Sequence, residues 1–165
     1  MAQETQIRLP CLLDRLVDED PGTREEAWRR RTVSADEYRA AVLRDLRWLM
    51  NSSSHLLTED ISQFPEVARS VLNYGTRDLA GATTDNIDGY ELEQQFRQAI
   101  LNFEPRIIPE TLQVRLVLNQ QSPNDFAHIG FEIRGELWAL PNPERIFFRT
   151  DIDLETGVCE INGSA

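Results

Sequence analysis

The hydrophobic period of this chain changes once, at Phe103-Glu104-Pro105-Arg106, and that change limits what the chain can fold into. Before the corner, apolar residues recur at helical spacing. After it, they alternate. Pro105 disfavours a helical backbone at Glu104, so a helix reaching Phe103 has to stop there. A helical period buries one stripe and a period of two buries one face of a sheet. Helices followed by strands predict an α+β domain, a helical layer against an antiparallel meander.

Three helices are expected before the corner. Ser34 and Glu37 have capping-box spacing, and Tyr38, Val42, Leu46 and Leu49 follow on one face until Asn51-Ser52-Ser53-Ser54. A short second helix opens at Pro65, runs through Val67, Ala68, Val71 and Leu72, and is closed by Gly75. After a loop with Gly81 and Thr83-Thr84-Asp85-Asn86, a third begins near Asp88, with Glu91 three residues on. Leu92, Phe96, Ala99, Ile100 and Phe103 mark its buried face. Three strands follow, with Leu112, Val114, Leu116 and Leu118 on the first, Ile129, Phe131 and Ile133 on the second, and Ile146, Phe148, Thr150 and Ile152 on the third. Ser122-Pro123-Asn124-Asp125 makes the first hairpin, and Glu155-Thr156-Gly157 turns into a short tail.

The organisation read from this pattern is an N-terminal arm over 1–33 and one α+β domain over 34–165. The arm carries an apolar patch, Leu9 to Val17 with Leu12, Leu13 and Leu16 in it, before the turn Asp20-Pro21-Gly22. Such a patch either docks back on its own domain or sits on a partner. The meander leaves two edges, which loops can cover or another chain's strand can extend.

Composition removes several function classes. The net charge is -11, and all 17 basic residues are arginine. Nucleic-acid binding needs clustered cations, and Arg29-Arg30-Arg31 follows Glu25-Glu26 as a local mixed cluster. Without lysine there is no P-loop lysine and no Schiff base. No apolar run approaches the ~20 residues of a membrane span. The start of the chain lacks a signal-like apolar core, so a cytoplasmic protein is expected. Cys11 and Cys159 form no CxxC motif and read as reduced thiols, and His55 and His128 form no HExxH pattern. Asp85, Asp88 and Glu91 lack calcium-loop spacing, and capping accounts for the latter two. No cofactor is expected.

A glycosidase needs two carboxylates flanking a bond. Glu104 and Glu136 could be drawn as such a pair, but nothing in the spacing selects them. There is no GxSxG elbow for a serine nucleophile. An interaction protein remains.

The blocks Ala41-Val42-Leu43-Arg44-Asp45-Leu46-Arg47-Trp48-Leu49-Met50-Asn51 and Phe64-Pro65-Glu66-Val67-Ala68-Arg69-Ser70-Val71-Leu72-Asn73-Tyr74-Gly75 resemble those of the TssE family of type VI secretion baseplate subunits. Phe103-Glu104-Pro105-Arg106 is similar to that family's Glu-Pro-Arg signature. Phe131 to Gly157, with Gly135-Glu136-Leu137-Trp138 and Arg149 to Gly157, is similar to its C-terminal strands. The resemblance spans roughly residues 9–157. It implies a non-enzymatic wedge component beside TssF and TssG, in a cytoplasmic baseplate docked at the inner membrane, on which the first TssB–TssC sheath ring builds.

Carried onto this chain, it makes Glu104, Pro105 and Arg106 partner-binding candidates, with Leu12, Leu13 and Leu16 of the arm beside them. Arginine suits forked contacts to a partner carboxylate. The competing reading of the corner is a helix stop with Glu104 and Arg106 paired inside the chain. The family is sometimes labelled lysozyme-like, so a peptidoglycan glycosidase is one alternative. A free-standing soluble binding module is the other.

Overall fold

The computed structural model describes residues 8–17, 22, 32–54, 63–83, 87–117 and 128–163. The expected hairpin at Ser122 to Asp125, Leu118, His55, Thr84 to Asn86 and the Arg29 to Arg31 cluster lie outside the described residues.

Helix α1 covers Leu12–Leu16, α2 Ala35–Met50, α3 Pro65–Ala68 and α4 Gly89–Phe103. Strands β1 (Gln113–Val117), β2 (His128–Leu137), β3 (Glu144–Asp153) and β4 (Cys159–Gly163) form one antiparallel sheet in chain order. The class is α+β, as the period change predicts. The counts differ, with a fourth helix in the arm segment and a fourth strand where only a tail was expected. The turn Asp153 to Val158 carries the chain back, and Cys159 to Gly163 pair with β3 from Ile152 to Phe148.

Both long helices cover the same face of the sheet. Ser34 and Glu37 form the capping box, and Tyr38, Val42, Leu46 and Leu49 of α2 are buried. Asp88 caps α4, which buries Leu92, Phe96, Ala99 and Ile100. All of these but Ala99 meet Ile129, Phe131, Ile133, Ile146, Phe148 and Ile152 in one core. Phe96 stacks on Phe131 at 4.5 Å between ring centroids, so α4 is seated on the middle of β2. The opposite sheet face is polar. There Glu132 accepts from Arg149 and Arg134, and both guanidiniums lie over the Phe147 ring.

The second expected helix is interrupted. α3 ends at Ala68, and the Ser70 hydroxyl accepts from Leu72 N–H to start a separate 3-10 turn, Val71–Asn73. That turn rotates the chain, so Asn73 is buried while Val71 and Leu72 are 80% and 70% exposed. The expected single helix running through Val71 and Leu72 is therefore two separate turns. Gly75 does close the segment, with φ +131.

Candidate functional site

The corner is built by the end of α4. Glu104 caps the helix, its N–H donating to the Ile100 carbonyl, and Pro105 stands exposed at the turn. The chain then joins the sheet. The Trp138 N–H donates to the Arg106 carbonyl at 2.7 Å, and the Ile108 N–H donates to the Glu136 carbonyl at 2.8 Å. A corner bonded on both sides to secondary structure has little freedom to move.

Glu104 and Arg106 do not project from this corner as a pair of free side chains. Glu104 is only 3% exposed. Arg106 Nε donates to Glu104 Oε1 at 2.7 Å, and Nη2 donates to Oε2 at 2.5 Å, a forked ion pair. The Arg106 N–H also donates to Oε1 at 3.1 Å. Nη2 reaches further, to Asp45 Oδ2 on α2 at 2.6 Å. Burial works against the Arg106 charge, but Glu104 and then Asp45 outweigh it and hold its pKa above the ordinary arginine value. The fork therefore ties the corner to the middle of α2.

Asp45 passes the connection on. Its Oδ1 accepts from Arg44 Nε at 2.9 Å and Nη2 at 2.8 Å. Arg44 Nη1 donates to Asp14 Oδ1 on α1 at 2.5 Å, and its guanidinium lies over the Trp48 ring. One alternating chain of charges, Glu104–Arg106–Asp45–Arg44–Asp14, thus runs from the corner to the arm segment. Arg8, paired with Glu144 at the start of β3, is a second anchor of that segment. Of the two readings of the arm, the structure bears on the first, docking back on its own domain. α1 is tied back by charge, yet it buries no residue. Leu12 and Leu16 are 70% and 73% exposed, and Leu13 is exposed beside them.

The Arg44 bond to Asp14 holds that carboxyl below the ordinary aspartate range, partly offset by burial. A carboxyl whose pKa is depressed on folding stabilises above its unfolded value and loses that contribution as pH falls through the folded one. Amide-exchange protection of Arg15 and Val17, whose N–H groups donate to the Cys11 and Leu13 carbonyls, should therefore persist at neutral pH and vanish only below roughly pH 4, the ordinary aspartate range. In Asp14→Asn the protection should already be low at neutral pH. Equal protection in both proteins would show that the latch does not hold α1.

The sequence named the three corner residues but not Asp45, Arg44 or Asp14 as their continuation. Arg44 and Asp45 stand inside a quoted block, but their partners lie 30 and 61 positions away. Only the tertiary fold brings them together. Trp138 and Leu140, exposed next to the corner, were also given no role.

Nothing in this geometry favours hydrolysis. Both Glu104 oxygens are engaged by Arg106 inside the fold, so Glu104 offers no free carboxyl to pair with Glu136 across a bond. The open depression on the polar sheet face is lined by Gln113, Arg134, Glu136, Arg145 and Phe147, with one carboxylate among them. Among the described residues no cluster of His, Cys, Asp or Glu suits a metal ion. Cys11 and Cys159 are free thiols, and burial pushes the Cys159 thiol up to about 12. Among the described residues no helix is long and apolar enough to cross a membrane.

The family model for baseplate wedge protein gp25 matches residues 36–142, which contain α2 from its second residue, α3, α4, the corner, β1 and β2. The chain belongs to the gp25 baseplate wedge family. No curated protein and no solved structure matches it. Membership gives the chain a structural role in a contractile-tail baseplate. It also gives the corner a context, since the charged fork lies wholly within the matched segment.

Proposed function

We propose that this gp25-family chain is the wedge subunit of a type VI secretion baseplate, joining TssF and TssG to the first TssB–TssC sheath ring without catalysis. The observation that carries the baseplate part is the family match over 36–142. The type VI part rests on the sequence blocks at 41–51, 64–75 and 131–157. The protein works in the cytoplasm, within a baseplate docked at the inner membrane.

The corner is the wedge-binding point. Pro105 is exposed, and Trp138 and Leu140 expose apolar surface beside it. Glu104 and Arg106 bind the partner indirectly, by holding Pro105 and Trp138 in one shape through the fork and the Arg106 carbonyl. The arm leucines Leu12, Leu13 and Leu16 add a second contact. Their exposure favours this, because apolar patches left out of a core mark association sites.

The test is co-purification with TssF and TssG homologues. The unaltered chain should be retained by both. Leu12→Asp combined with Leu16→Asp should unfold within a few degrees of the unaltered chain, since exposed substitutions cost little, within about 0.5 kcal/mol each. The same variant should lose about tenfold or more in wedge affinity, the scale of buried apolar anchors at an interface. Failure of the unaltered chain to bind TssF and TssG would end the wedge reading. Full binding by the double variant would remove the arm from it.

A further inference from the structure

The sheet face turned away from the helices carries charge of both signs, sorted by position. Alternate strand residues share a face, and the register sets them in rows across it. Glu136 stands opposite Arg145. The next row is Gln113, Arg134 and Phe147, and the one after runs Arg115, Glu132, Arg149 and Asn162. Beyond these the sign reverses. Asp151 stands opposite Glu160, and Asp153 opposite His128. The first three rows therefore gather arginines 115, 134, 145 and 149 against two glutamates, on a chain whose net charge is -11.

These arginines are not used up inside the chain. The Arg134 and Arg149 side chains are 58% and 66% exposed. Arg115 and Arg145 are exposed, and neither has a hydrogen-bond or ion-pair partner among the described residues. The arrangement already holds one carboxylate. Glu132 Oε1 accepts from Arg149 Nε at 3.0 Å and Nη2 at 2.6 Å, and Oε2 accepts from Arg134 Nη2 at 3.1 Å. The Arg149 bond foremost keeps that carboxyl below the ordinary glutamate range. The guanidiniums of Arg134 and Arg149 both lie over the Phe147 ring, which spaces them across the middle of the face. Beside them is the open depression of about 590 Å³, with Arg134, Arg145 and Phe147 in its wall.

We infer that this arginine-bearing face is a docking surface for an acidic segment of a partner protein, whose carboxylates meet Arg115, Arg134, Arg145 and Arg149 around Phe147. The surface is separate from the contacts proposed above, which lie at the corner and on α1. Charge complementarity selects the occupant. Each free guanidinium edge takes a carboxylate through two parallel bonds. The acidic rows beyond set the limit of the segment. Asp151, Asp153 and Glu160 border the patch and repel any polyanion that continues past it. A nucleic-acid backbone or an anionic lipid surface is uniformly charged and meets that repulsion. A protein segment avoids it by ending its acidic run there.

The experiment titrates the full chain at low salt with a short capped glutamate-rich peptide and follows backbone and arginine Nε–H signals by NMR. Shifts at Arg134, Arg145 and Phe147, with affinity falling as salt rises, support the inference. No binding, or shifts elsewhere alone, overturns it. Arg134→Glu combined with Arg145→Glu should weaken the peptide about tenfold or more, since two attractions become repulsions. Arg69→Glu combined with Arg77→Glu changes the net charge equally at exposed arginines off this face, and should weaken it less than about twofold. Equal losses in the two double variants overturn the inference, because net charge and not this face would then govern binding. Glu132→Gln releases Arg134 and Arg149 and should tighten the peptide about threefold. Unchanged affinity there places the peptide away from those arginines and overturns the assignment. Oligothymidine and phosphatidylglycerol vesicles are the comparison probes. Tighter binding of either than of the peptide at the same salt overturns the protein partner.

Discussion

Replacing Arg106 with alanine is expected to lower the unfolding free energy by about 3–5 kcal/mol, because it leaves Glu104 as a buried charge with no counterion. The carboxylate is 3% exposed and takes both arms of its fork from Arg106. The backbone N–H of residue 106 can still donate to Oε1, but one neutral donor does not replace a guanidinium. Asp45 suffers less, since Arg44 remains bonded to its other oxygen. For a domain of this size the loss corresponds to a fall in melting temperature of roughly 10 °C. Adding Glu104→Gln should recover about 1–3 kcal/mol, because the stranded charge is then gone. Arg106→Lys should fall between the two, since an ammonium cannot span two carboxylates as a planar fork does. Urea unfolding of the four proteins checks this. A loss below about 1 kcal/mol for Arg106→Ala would mean that the pair is no better than an exposed one.

This result bears on how the corner is to be probed. An assembly defect in Arg106→Ala mixes a fold defect with a docking defect. The exposed surface at Trp138 and the arm leucines separates them, because those side chains bury little of the core.

Much of the fold could be read from the sequence because each long element buries a regular stripe. The period over Tyr38 to Leu49 and over Leu92 to Ile100 matches the buried faces of α2 and α4, while Phe103, expected on the second of these, is only half-buried at the helix end. The alternation Ile146, Phe148, Thr150, Ile152 does the same for β3. The misses have specific causes. β4 offers two buried positions, Cys159 and Ile161, before Gly163, too few to register as alternation. Val67 to Leu72 keeps a helical period, but the Ser70 hydroxyl offers its own backbone a competing bond and resets the helix. α1 carries an apolar pattern but buries none of its residues, and charge ties it to α2. The site was partly legible for the same reason. Pro105 announces the corner by a local rule, whereas the fork to Asp45 and the latch to Asp14 depend on distant segments meeting. Whether a glutamate beside an arginine faces outward or inward is decided by burial, which no local pattern reports.

Gly75→Ala is expected to cost about 3–4 kcal/mol, for reasons that separate cleanly from those at a neighbouring glycine. Gly75 has φ +131, and a Cβ there would stand 2.2 Å from the Ser52 carbonyl oxygen. That oxygen cannot move freely, because it accepts from the Thr76 N–H at 2.8 Å. The Ser54 N–H donates to the Thr76 carbonyl at 2.9 Å, and Thr76 Oγ1 donates to the Met50 carbonyl. Making room for one methyl group therefore breaks the short bridge between residues 53 and 76, at about 1 kcal/mol per hydrogen bond, on top of about 1 kcal/mol or more of backbone strain. Gly81 is the control. It also has positive φ, +78, but a Cβ there meets nothing within 4 Å. Gly81→Ala should cost only the conformational part, about 1–2 kcal/mol. Equal losses in the two variants by urea unfolding would show that φ alone sets the cost and that the clash relaxes. The larger loss at Gly75 also has a direction through the fold. Tyr74 stands edge-on to Phe103 at 5.2 Å, against the last residue before Glu104. A bridge pried open at Thr76 draws Tyr74 off that ring, so Gly75→Ala should raise amide exchange at Glu104 and Ile107, whereas Gly81→Ala should leave both unchanged.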